Sequence, residues 1–510
     1  YVDAMYQLAW SQYKLSEYDS ALTLFTQLLD HSKQMKLDTG KESDYAKDAI
    51  TYMAHSFADI AEHDDITAAA MVAETFFAKD MPREHEWDVY KALAEVLIQY
   101  QRTEEAVECY KKLQNDPRWI NNSENPEFQM QVVTLLGTGL FADLAAAGAE
   151  RLELTLRYNE GGEWWVANRS NPDALNLARS YIESSLLQVA VEFRVRAQES
   201  KEPADFKLAA DKYKEYLDKF PISDDYYKQQ WFLADSYAQA QMYAEGEAEF
   251  SALIESQRYH EFGDGAVYQL MDMRLKVAQE RVGPPDVRPE NAEVKETYVT
   301  DAGIEITIYQ LAPEHQAFVE AADQVLAHKF SAPKEGLPNY QEAVDARRHA
   351  VMYIAAQILY NHNHFEEARP RFVDLYTKYP RTNEASYAAG LLVDSYLAEG
   401  DLGQVRHYSK LFSTLILGPQ DLPNPVFEDI LEGTAFKQAK ALADSGDFAA
   451  AADSFIDFRE EFPDSEHDAF ALYNAAHYYQ EVGKAERANE LFEEFVNVYP
   501  AHEWSKKLYF

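Results

Sequence analysis

One pattern in this chain is written twice, with both copies in register. Gly446, Ala451, Phe455, Phe458 and Pro463 recur as Gly483, Ala488, Phe492, Phe495 and Pro500, each pair 37 residues apart. Between the copies lies an amphipathic segment carrying Ala475, Ala476 and Tyr479. Small residues at one point of each helical segment predict two antiparallel helices whose backbones cross closely there. Gly483 marks the turn, where a left-handed residue is needed. Pro500 stops the second helix, because proline cannot supply the next helical N–H. A hairpin of this size cannot bury its own apolar face, so recurrence at a fixed period predicts a stack in which neighbours share a core.

The same grammar runs through the rest of the chain with gaps. Leu8, Ala9, Tyr13, Tyr18, Ala21 and Phe25 give a first hairpin. Met53, Ala54 and Phe57, followed by the alanine-rich run 66–77, give a looser second. A third spans Trp87–Pro117 and a degenerate fourth Pro126–Tyr158. Residues 159–171 (NEGGEWWVANRSN) read as a loop, with two glycines and turn formers around Trp164 and Trp165. These tryptophans are the most conspicuous candidates for exposed aromatics; the alternative is that they cap the preceding hairpin. A long helix follows at about 173–198. Further repeat signals come at Ala209, Tyr213 and Pro221, and at Leu233, Ala234, Tyr237, Gly246 and Phe250.

Residues 283–298 form a proline-rich linker. The period then changes to two at Ile304, Ile306 and Ile308, beside Asp301-Ala302-Gly303, which predicts a β-hairpin with a three-residue glycine turn. Its edges must lie against the helical stack or accept a partner strand. Helical patterning resumes near Pro313 and, after a loop at 331–339, continues through Ala355, Phe372, Leu392 and Val405 to the repeats described first. The expected fold is all-α: a solenoid of about ten helical hairpins with one small β-hairpin insertion. The expected divisions are an N-terminal array 1–158, a loop 159–171, a central array 172–282, linker and insert 283–312, and a C-terminal array 313–510.

Composition excludes several functions. With 87 acidic against 47 basic side chains the formal net charge is −40, which disfavours phosphate-rich partners and leaves solvation or a basic partner as its use. The single cysteine, Cys109, allows no intrachain disulfide and reads as a small buried residue. No apolar run is long enough to span a bilayer. The chain begins and stops inside helical patterns, as one cut from a longer protein does, so a leader or lipid anchor outside it stays open.

The Gly…Ala-x3-Phe…Pro unit, with its small-small-x2-Tyr partner, resembles the tetratricopeptide repeat (TPR). Phe458, Phe462-Pro463, Ser465, Ala475, Phe492 and Tyr499-Pro500, echoed at Lys219-Phe220-Pro221 and Tyr379-Pro380, are similar to one bacterial periplasmic subgroup. That subgroup includes the lipoprotein of the outer-membrane barrel-assembly machine and the Tol-Pal-associated coordinator of envelope constriction. Long acidic arrays with an insert also resemble the repeat proteins of myxobacterial-type gliding and envelope complexes. These resemblances imply a non-catalytic scaffold of the cell envelope, periplasmic or outer-membrane-associated, that binds a protein or peptide and needs no cofactor. A cytoplasmic adaptor is the alternative address.

No phosphate-binding loop, HExxH or paired CxxC is present. The rival reading is a metal-dependent enzyme or regulator built on the histidine turn Asn361-His362-Asn363-His364. Arg347, Arg348 and His349 read as ion-pair partners of neighbouring acids. A stacked array lines its inner face with the first helix of each hairpin. The repeat register places Tyr6, Trp10, Tyr13, Trp231, Asp235, Tyr353, Gln357, Asn361, Tyr473, His477 and Gln480 there. Aromatics mixed with amides and acids suit capture of an extended peptide or a helix; the alternative is that the aromatics complete packing between repeats.

Overall fold

The computed structural model describes residues 1–64, 68–79, 85–139, 142–256, 262–332 and 338–508. The loop expected at 331–339 and the start of the alanine-rich run 66–77 therefore fall partly outside the described residues. Among the described residues the chain forms twenty-four helices and one two-stranded sheet. It divides into two compact units, Tyr1–Ala240 and Gln241–Phe510. This division cuts the run expected as one central array, and the helices of the hairpin expected at Leu233–Phe250 fall one in each unit.

The first unit contains α1 (Val2–Lys14), α2 (Tyr18–Thr39), α3 (Ala46–Asp64), α4 (Ala69–Phe77), α5 (Glu86–Gln99) and α6 (Thr103–Asn115). It continues with α7 (Asn125–Gly137), α8 (Leu144–Arg157), α9 (Glu163–Ala167), α10 (Pro172–Ser200), α11 (Pro203–Lys219) and α12 (Tyr226–Gln239). Ala9, Ala21 and Phe25 are fully buried where α1 meets α2. Leu8, expected on that face, is 50% exposed, because Ala9 one position on takes the contact. The segment 159–171 is not simply a loop. Gly162 opens the five-residue helix α9, which tucks Trp164 beneath the preceding hairpin.

The second unit contains α13 (Tyr243–Ser256), α14 (Gly263–Arg281), β1 (Val294–Val299), β2 (Glu305–Tyr309), α15 (Pro313–Ala327) and α16 (Tyr340–Asn361). After these come α17 (Phe365–Lys378), α18 (Asn383–Glu399), α19 (Leu402–Phe412), α20 (Val426–Asp444), α21 (Phe448–Glu461), α22 (Asp468–Glu481), α23 (Ala485–Val498) and α24 (Glu503–Leu508). The repeated pattern packs as its spacing requires. Ala451, Phe455, Phe458, Ala475, Ala476, Ala488 and Phe495 are all buried. Gly446 and Gly483 sit in the left-handed region at φ 84° and 76°, where a side chain would strain the turn. Helices α21 and α23 end just before Pro463 and Pro500.

The β-hairpin forms where the period changes. Strand β1 pairs antiparallel with β2, and Thr300 N–H donates to the Ile304 carbonyl across the turn, with Gly303 at φ 77°. Strand β1 takes over the end of the expected linker. Of the three isoleucines, Ile306 alone is buried and Ile304 is partly exposed. Its seat is the histidine turn. Tyr309 N–H donates to the His362 carbonyl (3.0 Å). Asn363 Nδ2 donates to the Thr307 carbonyl (2.7 Å), and His364 Nε2 to the Tyr309 carbonyl (2.8 Å). At its far end the Tyr298 hydroxyl donates to Glu399, which also pairs with Arg369.

Candidate functional site

The three aromatics expected on α1 come together with a set the sequence did not single out. Tyr6 stacks on Tyr45 at 4.6 Å between ring centres. Trp10 Nε1 donates to the Tyr52 hydroxyl (3.1 Å), and the Tyr13 hydroxyl donates to Asp59 (3.0 Å). Tyr45 donates to Asp3 (2.7 Å), and His55 meets the Tyr100 hydroxyl at 2.9 Å. The first helices α1, α3 and α5 therefore present a ladder of half-buried aromatic rings interleaved with carboxylates. Tyr52, at the centre, lies flat over buried Phe25. Burial first, then the Asp59 charge, raises the Tyr13 phenol above its ordinary range, so it stays a hydrogen-bond donor.

This face already accommodates a cation. Lys14 Nζ stands 5.4 Å over the Trp10 ring and 5.5 Å over the Tyr13 ring. Each such contact is worth about 0.5–1 kcal/mol at an exposed site. The partners on and just before α3 went unnoticed because Tyr45, Tyr52 and His55 sit beside, not within, the small-residue positions that define the repeat. Their signal was helical spacing to the α1 aromatics one hairpin earlier, about 42 residues back.

The remaining candidates divide. Trp231 is not exposed on a groove: it is buried in the core. Asp235 is held by Arg194 (2.8 Å), whose guanidinium also covers Phe232. In the second unit Gln357 Nε2 donates to the Tyr353 hydroxyl (3.2 Å), and Asn361 Nδ2 donates to the Pro285 carbonyl (3.2 Å). This stretch of α16 thus carries the linker on its last turn, while Tyr353 lies near exposed Tyr387. Tyr473 packs among Phe492, Phe495 and Trp504, and His477 and Gln480 are exposed. Trp164 is not exposed: its ring meets Tyr158 edge-on and its Nε1 donates to the Asn122 carbonyl (2.8 Å). Trp165 is half-exposed under the Arg179 guanidinium.

A cleft of about 990 Å³ opens in the first unit between α10 and the turn after α11. Glu183, Tyr216, Phe220 and Asp224 line it, and Ile222, 95% exposed, lies on its rim. Sequence reasoning took Lys219-Phe220-Pro221 as an echo of the repeat motif and not as the wall of a cleft.

Cys109 is fully buried and burial pushes its thiol well up, away from the reactive thiolate. The basic cluster pairs as its setting requires: Arg347 is bidentate to Asp272 (2.9 Å on both arms), Arg348 meets Asp345 (3.1 Å), and His349 meets Glu384 (3.1 Å). Among the described residues no three His, Cys, Asp or Glu side chains converge as a metal site, and no helix is long and apolar enough to cross a membrane.

No curated protein matches the chain. Similar solved structures include the TPR domain of P58(IPK), at 10% identity over 94% of this chain and 99% of that one, TM-score 0.22. Naa15/Naa10 bound to HypK-THB is similar at 13% identity over 96% of this chain and 68% of that one, TM-score 0.22. The apo form of RapI is similar at 10% identity over 78% and 98%, TM-score 0.27. Such scores are too low to carry the arrangement of the hairpins over from any of them. The chain is an array of tetratricopeptide-like helical hairpins, and two of its stretches, residues 3–32 (α1 with α2) and 434–465 (the end of α20 with α21), match the tetratricopeptide repeat family model itself.

Proposed function

We propose that the chain is a non-catalytic protein-binding scaffold whose α1–α3–α5 face captures a basic segment of its partner. The observation that carries this reading is Lys14, seated over Trp10 and over Tyr13, whose hydroxyl Asp59 holds. A lysine or arginine of a partner would meet the same rings and acids further along the ladder. Aromatic anchors in half-buried settings are where binding energy concentrates. The net charge of −40 adds a long-range attraction for such a segment.

The resemblance of the 458–500 motifs to envelope repeat proteins supports a place in a bacterial cell-envelope complex, periplasmic or at the outer membrane. Crosslinking in the host, followed by mass spectrometry, tests both the partner and the compartment. Trp10→Ala and Tyr13→Ala should each weaken the captured partner by roughly tenfold, about 1.4 kcal/mol. A partner set unchanged by both substitutions would overturn the assignment of this face, and one made only of cytosolic proteins would overturn the address.

A further inference from the structure

Beneath the β-hairpin seat, two histidines lie side by side in the second unit, each 1% exposed. His315 is in the first turn of α15, directly after the hairpin; His362 is in the turn that holds the hairpin. Their ring centres are 5.6 Å apart and the planes nearly perpendicular, at 82°. His362 Nδ1 is 2.8 Å from the Ile358 carbonyl. A carbonyl can only accept, so Nδ1 carries the proton and Nε2 is a bare lone pair. That Nε2 is buried and has no hydrogen-bond partner, and neither ring nitrogen of His315 makes a hydrogen bond of normal geometry, although the Gly283 carbonyl lies near that ring. His362 forms part of the wall of a cavity of about 430 Å³ that opens between Arg281, Glu293 and Gln310.

Buried polar atoms without partners are rare and costly, and one accepted explanation is an ion. A histidine whose Nδ1–H is tied to a backbone carbonyl while Nε2 stays free has the outer-sphere arrangement of a metal-bound imidazole. The separation of the rings fits as well. With metal–nitrogen bonds of ~2.0–2.1 Å and about 1.1 Å from nitrogen to ring centre, two imidazoles on one ion at ~109–120° stand about 5.2–5.5 Å apart. From these observations the geometry points to a two-histidine site for a borderline transition-metal ion, Cu2+ or Zn2+, held by His315 and His362, with its remaining positions filled by water from the cavity. Arg281 on the rim leans toward Glu314 at 3.8 Å, and Glu293 faces the same opening, so the entrance is not closed to a cation. The ion would tie the exit of the hairpin to the turn that seats it. This site differs from the turn-centred metal site considered from sequence: His364 is used up on Tyr309 and Glu367, and the second ligand comes from a helix 47 residues earlier.

The test uses the full chain, stripped with chelator and without a histidine tag, titrated calorimetrically with Cu2+ and with Zn2+. One equivalent should bind, tighter for Cu2+. The Cu2+ spectrum by electron paramagnetic resonance should carry nitrogen couplings from two imidazoles. His315→Gln and His362→Gln, chosen to keep volume and checked for native helicity, should each weaken binding by at least tenfold, while His407→Ala on an exposed helix face should not. Metal should also slow amide exchange in 294–309. Absence of binding at micromolar metal, binding that survives either glutamine variant, or binding lowered equally by His407→Ala would overturn the site.

Discussion

Gly400→Ala should unseat the β-hairpin, and Gly483→Ala supplies its control. Both glycines end a helix in the left-handed region at φ 76°. An alanine there costs about 1–2 kcal/mol from the clash of its own Cβ with the backbone. At Gly483 that is the whole effect, since nothing lies within 4 Å of the new Cβ. At Gly400 the Cβ would fall 2.7 Å from Ala302 Cβ and 2.8 Å from Ile304 Cδ1, so the turn of the hairpin must move off α18. Overpacking of this kind adds roughly 1–3 kcal/mol. Denaturant midpoints should therefore fall further for Gly400→Ala than for Gly483→Ala, by an amount equivalent to about 1–3 kcal/mol. Amides in 294–309 should exchange roughly 5- to 30-fold faster in the first variant alone if one to two of those kcal/mol act on the hairpin. Equal destabilisation by the two substitutions, with unchanged exchange in the hairpin, would refute the docking contact.

The seat itself is tested by Asn363, which adopts φ 63° and donates to Thr307. Asn363→Gly keeps the backbone and loses only the hydrogen bond, about 0.5–1.5 kcal/mol, whereas Asn363→Ala should cost more, as read by urea denaturation. Trp164→Ala should destabilise the first unit by about 3–5 kcal/mol; Trp165→Ala, at a half-exposed position, should cost under about 1 kcal/mol, and thermal unfolding separates the two. Alkaline pH should loosen the first unit through Tyr213, whose phenol burial pushes up to about 12, against a lowering by Arg194 and with a smaller raising by Asp235. Because the folded value lies above the ordinary 10, the unfolded chain loses that proton first. Stability is then complete below pH 10 and falls by up to about 3 kcal/mol as pH rises to 12. Tyr213→Phe should flatten that part of the profile, and absorbance at 295 nm should show a late-ionising tyrosine that the variant lacks.

The parts legible in the sequence are those where one residue type answers one local demand. Gly446 and Gly483 are needed by a positive φ, and Ala476 and Ala488 by a close helix crossing, so the hairpins could be drawn from their spacing. The hairpin insert was legible from its period and its Gly303 turn. What escaped depends on how far a helix is rotated against its neighbours. Trp10 and Trp231 both sit on the first helix of a hairpin, yet one faces out and the other is core, and no local pattern separates them. The seating role of the histidine turn escaped for a related reason. Its partners are the backbone carbonyls of Thr307 and Tyr309, which leave no mark in the sequence because every residue has a carbonyl.

The acidic surplus becomes intelligible once the cations are located. Many arginines are spent between helices of successive hairpins: Arg151 on Glu192, Arg371 on Asp323, and Arg459 on both Asp468 and Glu494. Planar guanidinium groups suit such ties because they can bond two acceptors at once. Cations drawn inward in this way leave the outer faces more acidic than the ratio of 87 to 47 suggests. Self-repulsion across such a surface is relieved by salt, and so is attraction for a basic partner. The two effects separate in one experiment: raising NaCl from about 50 to 500 mM should hold or improve the stability of the free chain while it slows association with the partner. If salt left the association rate unchanged, the charge would serve solvation alone, and the aromatic ladder on α1, α3 and α5 would have to recognise its ligand by shape.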